Sequence, residues 1–398
     1  MKIHLTEYVK ITALFGLILI TACNAQENKS LILGADRTEQ YLSDLAEKNV
    51  AIVGNQTSLI KTDKGQYIHL VDSLLNRNIG IKKVFAPEHG FRGKADAGEL
   101  IKDGIDQKTG LPVVSLYGSN KKPDNTHLQD IDIVVFDIQD VGARFYTYIS
   151  TLHYIMEACA ENDIPLIILD RPNPNGDYID GPILQKSMES FVGMHPIPIT
   201  HGLTIAEYAR MINGEAWLDN NLKADLKLIF MENYHKNLKY EPPVAPSPNL
   251  PNYKSIRLYP SLCLFEGTKV SVGRGTSTPF QIFGAPFLPP QKYSYTFTPK
   301  STTGAKYPKH ENQICYGKKF DNLPQAQLNL KYLIEAYKAT ADKDMFFNDY
   351  FNKLAGNKTL KQKIKSGWTA QEIYASWEKG LDQYKLIKSS YEYYTSSP

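Results

Sequence analysis

The 398-residue sequence lacks most of the signatures by which an α/β enzyme declares its cofactor or nucleophile. No G-x-G-x-x-G follows its first apolar strand and no Walker A sequence occurs, so no dinucleotide or P-loop nucleotide is implied. It has neither a G-x-S-x-G elbow nor an H-E-x-x-H helix, which weighs against serine esterases and zinc peptidases. Cysteine is scarce: Cys23, Cys159, Cys263 and Cys315, with no zinc-type spacing. The three beyond Cys23 can form at most one disulfide, so no disulfide framework holds the fold. Cys159 falls on an apolar helix face and is expected to be a small buried hydrophobe. A net charge of +3 with 22% charged residues, and no Lys/Arg block, leaves no nucleic-acid footprint. No internal repeat is evident.

Long apolar runs are also missing. Residues 11–20 form a short one behind Lys2 and Lys10, too short to span a bilayer comfortably, and it reads as a targeting segment. It ends in Ile18-Leu19-Ile20-Thr21-Ala22-Cys23, which resembles a bacterial lipobox. By that resemblance residues 1–23 form a lipoprotein signal with Cys23 as the acylated residue, and the mature protein is lipid-anchored in the cell envelope, periplasmic or outer-membrane associated. An ordinary signal peptide cut near Ala22 or Ala25 is the alternative.

Tyrosine, by contrast, is abundant, with 25 residues against 16 Phe and 3 Trp. It pairs an apolar ring with a hydrogen-bonding tip, which suits sugar surfaces and wet interfaces as well as cores. The first half alternates apolar runs at residues 50–53, 83–86, 112–116, 131–138, 164–169 and 224–230 with helical patterns at 68–77, 147–162 and 204–213. Continuous apolar strands separated by helices predict a mostly parallel sheet covered on both faces, a Rossmann-like α/β domain over residues 28–246. The segment EPPVAPSPNLP (residues 241–251) is too proline-rich for either element; it marks a boundary or lines the site. Residues 247–398 then form a smaller α+β domain, with a strand at 293–297 and helices at 327–340 and 369–379. The last of these opens on Thr369-Ala370-Gln371-Glu372 and is expected to stop at Gly380.

Chemistry-bearing residues cluster where strands end. VFAPEHGFRG (84–93) and DIDIVVFDIQDVGARFYTY (130–148) each run from apolar β-formers into ionisable groups. If the strands are parallel, Asn55, Glu88, His89, Tyr117, Asp137, Asp140 and Asp170 share the carboxyl edge of one sheet, where open α/β sheets bind ligands. Glu88, flanked by Pro87 and Phe91, is the best general-acid candidate; its bland role is capping or an ion pair with Arg92. Asp137 and Asp140 could activate water, hold sugar hydroxyls or orient Arg144. No metal-type cluster surrounds them, so no metal or other cofactor is expected. Glu266 and Arg274 stand in a glycine-rich stretch, where backbone can approach a ligand closely. Arg92, Arg144 and Arg274 suit carboxylate recognition.

GNQTSL (54–59), FAPEHGFRG (85–93), LPVVSLYG (111–118), VFDIQDVGARFYTYISTL (135–152), LDRPNPNG (169–176), HGLTIAEYA (201–209), PSPNLP (246–251), YPSLCLFEGTKVSVGRGT (259–276) and PFQIFGAP (279–286) resemble, in this order, the exo-β-N-acetylmuramidase family of the NamZ type. The resemblance covers nearly the whole mature chain. It implies hydrolysis of the bond after a non-reducing terminal N-acetylmuramic acid in peptidoglycan fragments, a Rossmann-like domain, a smaller C-terminal domain, and an active cleft between them. The glutamate of PEHGFRG, here Glu88, is the family's proposed catalytic residue. Asp137, Asp140 and Glu266 are candidate partners. Asn55, His89, Arg92, Tyr117, Arg144, Tyr146, Asp170, His201 and Arg274 are candidate substrate-binding residues. The partners implied are peptidoglycan-derived disaccharides and muropeptides, and the membrane through the lipid anchor. The competing class is a non-catalytic muropeptide-binding lipoprotein; an esterase or amidase acting on the same polymer is weaker for want of a nucleophile motif.

Overall fold

Five residues of unbroken burial from Val50 to Gly54 begin a central sheet whose inner strands have no solvent face. The computed structural model describes residues 30–62, 64–93 and 103–397; Cys23 and the targeting segment lie outside them. The strands are β1 (Val50–Gly54), β2 (Leu59–Lys61), β3 (Tyr67–His69), β4 (Ile81–Ala86), β5 (Gly104–Ile105), β6 (Pro112–Ser115), β7 (Ile133–Asp137), β8 (Leu166–Leu169) and β9 (Leu226–Ile229). Seven of them form one sheet in the order β5-β6-β4-β1-β7-β8-β9. All neighbours are parallel except β5, a two-residue antiparallel edge strand. Without that edge the order is 3-2-1-4-5-6, the doubly wound arrangement that places its switch point between β1 and β7.

Alternate side chains of these strands feed two cores. Ala51, Val53, Phe85, Val134, Phe136, Leu166 and Ile168 point to one face, while Val50, Ile52, Val84, Val135, Ile167 and Leu169 point to the other. The first core does not stop at the sheet. It continues through Leu264, Phe265, Phe283, Leu333 and Phe351, so the C-terminal region shares apolar packing with the sheet, and residues from Ile32 onward form one compact unit. That region holds a three-stranded antiparallel sheet, β10 (Ile282–Ala285), β11 (Tyr295–Phe297) and β12 (Cys315–Lys319), in the order β10-β12-β11, followed by short helices. Cys159, Cys263 and Cys315 are all free and buried. Among the described residues no helix is long and apolar enough to cross a membrane.

Two departures from the sequence reading have a clear packing cause. The helix Glu378–Ser389 runs through Gly380 instead of stopping there. A Cβ at that glycine would sit 3.1 Å from Ile183, so the residue permits close packing; the break comes earlier, between Ala375 and Glu378. The helix Tyr253–Leu262, which the sequence reading does not include, carries Pro260 inside it. A proline there removes the bond to the carbonyl four residues back, and Ile256 O instead accepts from Asn175 Nδ2 at 3.2 Å. The proline is tolerated because a loop amide takes the missing donor's place.

Candidate active site

The switch point between β1 and β7 is not an open crevice. Ser58 Oγ donates to Asp137 O at 2.5 Å, Gln139 N donates to Thr57 Oγ1 at 3.0 Å, and Asn55 Nδ2 donates to the Tyr148 hydroxyl at 2.9 Å. These bonds tie the segment after β1 to the end of β7 and the residues beyond it. The open cavity lies instead over the ends of β4 and β6, roofed by the C-terminal region. Its volume is about 400 Å³, and its lining includes Glu88, His89, Tyr117, Lys121, Tyr146, Thr147, Phe191, Asn249, Tyr259, Glu266, Arg274 and Tyr350. A second cavity of about 340 Å³ shares Glu88, Tyr117, Glu266, Arg274 and Tyr350 with the first. Spaces of this size suit small ligands.

Glu88 follows β4 on a tight turn in which Gly90 N donates to Pro87 O at 3.0 Å. His89 (φ 72°) and Gly90 (φ 76°) are both left-handed. The Glu88 carboxylate accepts from Thr147 Oγ1 at 2.7 Å, and the Tyr117 hydroxyl also bonds it. Burial, then the Glu88 charge, pushes the Tyr117 phenol above its ordinary range. A hydroxyl can donate or accept, so both partners serve either protonation state of Glu88. Phe91, expected beside the carboxylate, turns away: it packs edge-on against His69 at 4.9 Å and belongs to the core on the other sheet face.

The proline-rich segment forms part of the wall. The Tyr146 and Tyr148 hydroxyls both donate to Pro246 O, at 2.8 and 3.1 Å, and Ser247, Asn249 and Leu250 then line the cavity. Glu266, which lines the same cavity as Glu88, pairs through Oε2 with Arg274 Nε at 3.2 Å, and the Arg274 guanidinium lies 5.2 Å over the Phe280 ring. Lys309 Nζ fixes this loop from behind by donating to the carbonyls of Phe265, Glu266 and Thr268 at 3.1, 3.1 and 2.8 Å.

The remaining candidates do not reach the cavity. Asp137 is fully buried and accepts two bonds from Arg171, at 2.6 and 2.9 Å. Asp140 accepts from Gly142 N at 2.7 Å, and burial pushes its carboxyl up to about 7. It holds the turn in which a Cβ at Gly142 (φ 74°) would strike Asn173 at 2.0 Å. His201 Nε2 stands 3.9 Å from Asp140, and burial lowers that imidazole to about 3. Asp170, also raised to about 7 by burial, accepts from Ala206 N, Thr204 Oγ1 and Tyr394 Oη and so anchors the helix Ile205–Gly214. Asn55 accepts from Thr57 and holds Tyr148.

Neither Arg92 nor Arg144 faces the cavity. Arg92 forks onto Asp106 at 3.1 and 2.7 Å in a separate surface depression. Arg144 is fully buried and donates to the carbonyls of Pro182, Ile197, Leu354 and Ala355; burial lowers it to about 9. Two of those carbonyls end the helix Phe351–Ala355, whose free C-terminal oxygens attract a cation. Of the residues singled out from sequence, the cavity gathers Glu88, His89, Tyr117, Tyr146, Glu266 and Arg274. It adds Thr147, Lys121, Phe191, Asn249, Tyr259 and Tyr350, which sequence reasoning passed over. Thr147 sits inside the quoted FYTY stretch; for Phe191 and Tyr350 no local motif gave a signal.

The sequence matches the family model described as exo-beta-N-acetylmuramidase NamZ, N-terminal, over residues 50–254. It matches the corresponding C-terminal model over residues 257–394. It is 38% identical over 376 residues to the peptidoglycan beta-N-acetylmuramidase NamZ of Bacillus subtilis (strain 168), covering 89% of each chain. Its fold is similar to crystal structures of two DUF1343 family proteins from Bacteroides fragilis NCTC 9343. One has a TM-score of 0.84 at 43% identity and covers 93% of this chain and 100% of that chain. The other has a TM-score of 0.78 at 28% identity, with coverage of 92% and 99%. The chain belongs to the NamZ exo-β-N-acetylmuramidase family.

Proposed function

We propose that this chain is an exo-acting glycoside hydrolase that releases a non-reducing terminal N-acetylmuramic acid (MurNAc) from MurNAc-GlcNAc fragments of peptidoglycan, with Glu88 as general acid. One observation carries the reading: two carboxylates, Glu88 and Glu266, line one cavity walled by Phe145, Tyr146, Phe191, Tyr259 and Phe280. Paired carboxylates across a sugar-sized space are what glycosidic cleavage needs, and aromatic faces suit the apolar faces of a pyranose.

In the proposed reaction Glu88 gives its proton to the glycosidic oxygen as the bond to the anomeric carbon breaks. Thr147 and Tyr117 hold the carboxyl in place for that transfer. Positive charge then develops on the sugar, and Glu266, paired with Arg274, is the other carboxylate among the described residues lining this cavity and meets that charge. It does so as nucleophile, as base for water, or by orienting the substrate's own acetamido oxygen. Asp137, Asp140 and Asp170 support the scaffold, and residues 247–398 close the cavity behind the terminal sugar.

The test is product analysis with purified full-length protein. Release of free MurNAc from MurNAc-GlcNAc, and none from GlcNAc-MurNAc, is expected. Intact disaccharide after prolonged incubation refutes the reading. NMR of the first-formed anomer assigns retention or inversion. The same proposal places the protein in the cell envelope, anchored through acylated Cys23. Cys23→Ser should abolish labelling by fatty acid, and unchanged labelling refutes the anchor.

A further inference from the structure

MurNAc differs from N-acetylglucosamine (GlcNAc) by a lactyl carboxylate, so a site that prefers it needs a cation whose charge is not already offset. Among the described residues, three lysine or arginine cations line the two adjoining cavities. Arg274 is paired with Glu266. Lys309 donates to a ring of backbone carbonyls and lines only the second cavity. Lys121 is the third. It lies on the loop after β6, half-buried, and lines only the first, more aromatic cavity. Its Nζ stands 5.1 Å over the Phe191 ring, and among the described residues no carboxylate pairs with it. Its neighbour Lys122 is spent differently, on Glu157 and Glu161 at 2.7 and 2.8 Å.

The ring beneath Lys121 is itself held in place. Phe191 stacks on Tyr154 with centroids 6.2 Å apart and tilts against Tyr117 at 6.1 Å, whose hydroxyl bonds Glu88. The cation, the aromatic platform and the acid therefore form one connected wall. Glu88 lines both cavities, which is where a group protonating the bond between two sugars must stand. A terminal sugar stacked on the rings of the cavity that holds Lys121 would put its neighbour, past Glu88, in the second cavity.

Resting on the muramidase reading, we infer that Lys121 binds the lactyl carboxylate of the terminal N-acetylmuramic acid and sets the preference for it over N-acetylglucosamine. A charge-assisted bond of this kind corresponds to an affinity ratio of about ten- to a hundred-fold. Lys121 acts on binding and leaves the acid chemistry at Glu88 alone, so its loss should appear in KM more than in kcat.

The experiment is calorimetric titration of free MurNAc and of GlcNAc into full-length wild type, Lys121→Met and Lys121→Gln, with kcat and KM on MurNAc-GlcNAc measured beside it. Wild type should prefer MurNAc. Both variants should lose about ten-fold or more of that preference, keep GlcNAc affinity (which also reports an intact fold), and show a raised KM with kcat nearly unchanged. Lys121→Arg should restore most of the preference. A preference that survives in both Met and Gln variants overturns the inference, as does wild type that binds the two sugars equally. Wild type that prefers MurNAc through Lys121 but never cleaves the disaccharide supports this inference and refutes the hydrolase instead.

Discussion

Replacing Asp137 by asparagine should cost stability rather than chemistry. Asp137 is fully buried, and both its oxygens accept from Arg171, whose guanidinium also donates to Leu59 O at 2.9 Å. The variant leaves a guanidinium in the core with no counter-charge, a change that costs about 3–5 kcal/mol. Unfolding entropy of about 2.1 cal/mol/K per residue, over 398 residues, turns that into a Tm lower by roughly 4–6 °C. Removing both charges, as Asp137→Leu with Arg171→Met, should recover much of the loss, because no unpaired ion remains. At 25 °C the folded Asp137→Asn protein should keep kcat within about three-fold, since the residue does not line the cavity. Thermal melts and turnover on MurNAc-GlcNAc, measured on the same samples, separate the two roles. An unchanged Tm with a thousand-fold fall in kcat would refute the structural role and return Asp137 to the catalytic residues.

Asp140 offers a pH signature. Its carboxyl ionises near 3.8 in the unfolded chain and about 7 in the folded one, so the native state retains a proton that the unfolded state releases. Wild-type stability relative to Asp140→Asn should therefore be greatest below about pH 4, fall by up to a few kcal/mol as the pH rises to about 7, and stay flat above. Denaturant titrations at pH 4.5, 6 and 8 check this, and a difference that grows with pH contradicts it. Tyr117→Phe and Thr147→Val each remove one bond to Glu88 and should lower kcat/KM about ten-fold with little change in the melt. Arg144→Met deprives four carbonyls of their donor and should destabilise by about 2–4 kcal/mol. It should also raise KM, because Leu354 belongs to both the clasp and the cavity wall.

Strand periodicity made the sheet legible, because buried parallel strands read as unbroken apolar runs. The residues after β4 and β6 were legible as cavity-lining residues for a related reason: the apolar runs there pass directly into Glu88 and Tyr117, which line both cavities. The residues after β1, β7 and β8 carried the same signal with a different meaning. Asn55, Asp137, Asp140 and Asp170 are polar because deep loops need partners for their backbone donors and for Arg171, and a sequence does not distinguish a carboxylate facing a ligand from one facing a buried amide. Phe191 and Tyr350 escaped notice because they reach the cavity only through tertiary packing. The helix Tyr253–Leu262 was not read from sequence, and its Pro260 is accommodated by Asn175, 85 residues away in sequence, whose amide bonds Ile256 O.

The central claim is that Glu88 protonates the leaving sugar. A general acid is needed most when the leaving group is poor, and contributes about 10²–10⁴-fold there. The decisive comparison sets Glu88→Gln against wild type on MurNAc-GlcNAc, whose leaving group is a sugar alcohol, and on p-nitrophenyl MurNAc, whose leaving group departs without a proton. The account predicts a loss of at least a hundred-fold on the disaccharide and a much smaller loss on the aryl glycoside. Equal losses on both, or near-normal cleavage of the disaccharide by the variant, would contradict it.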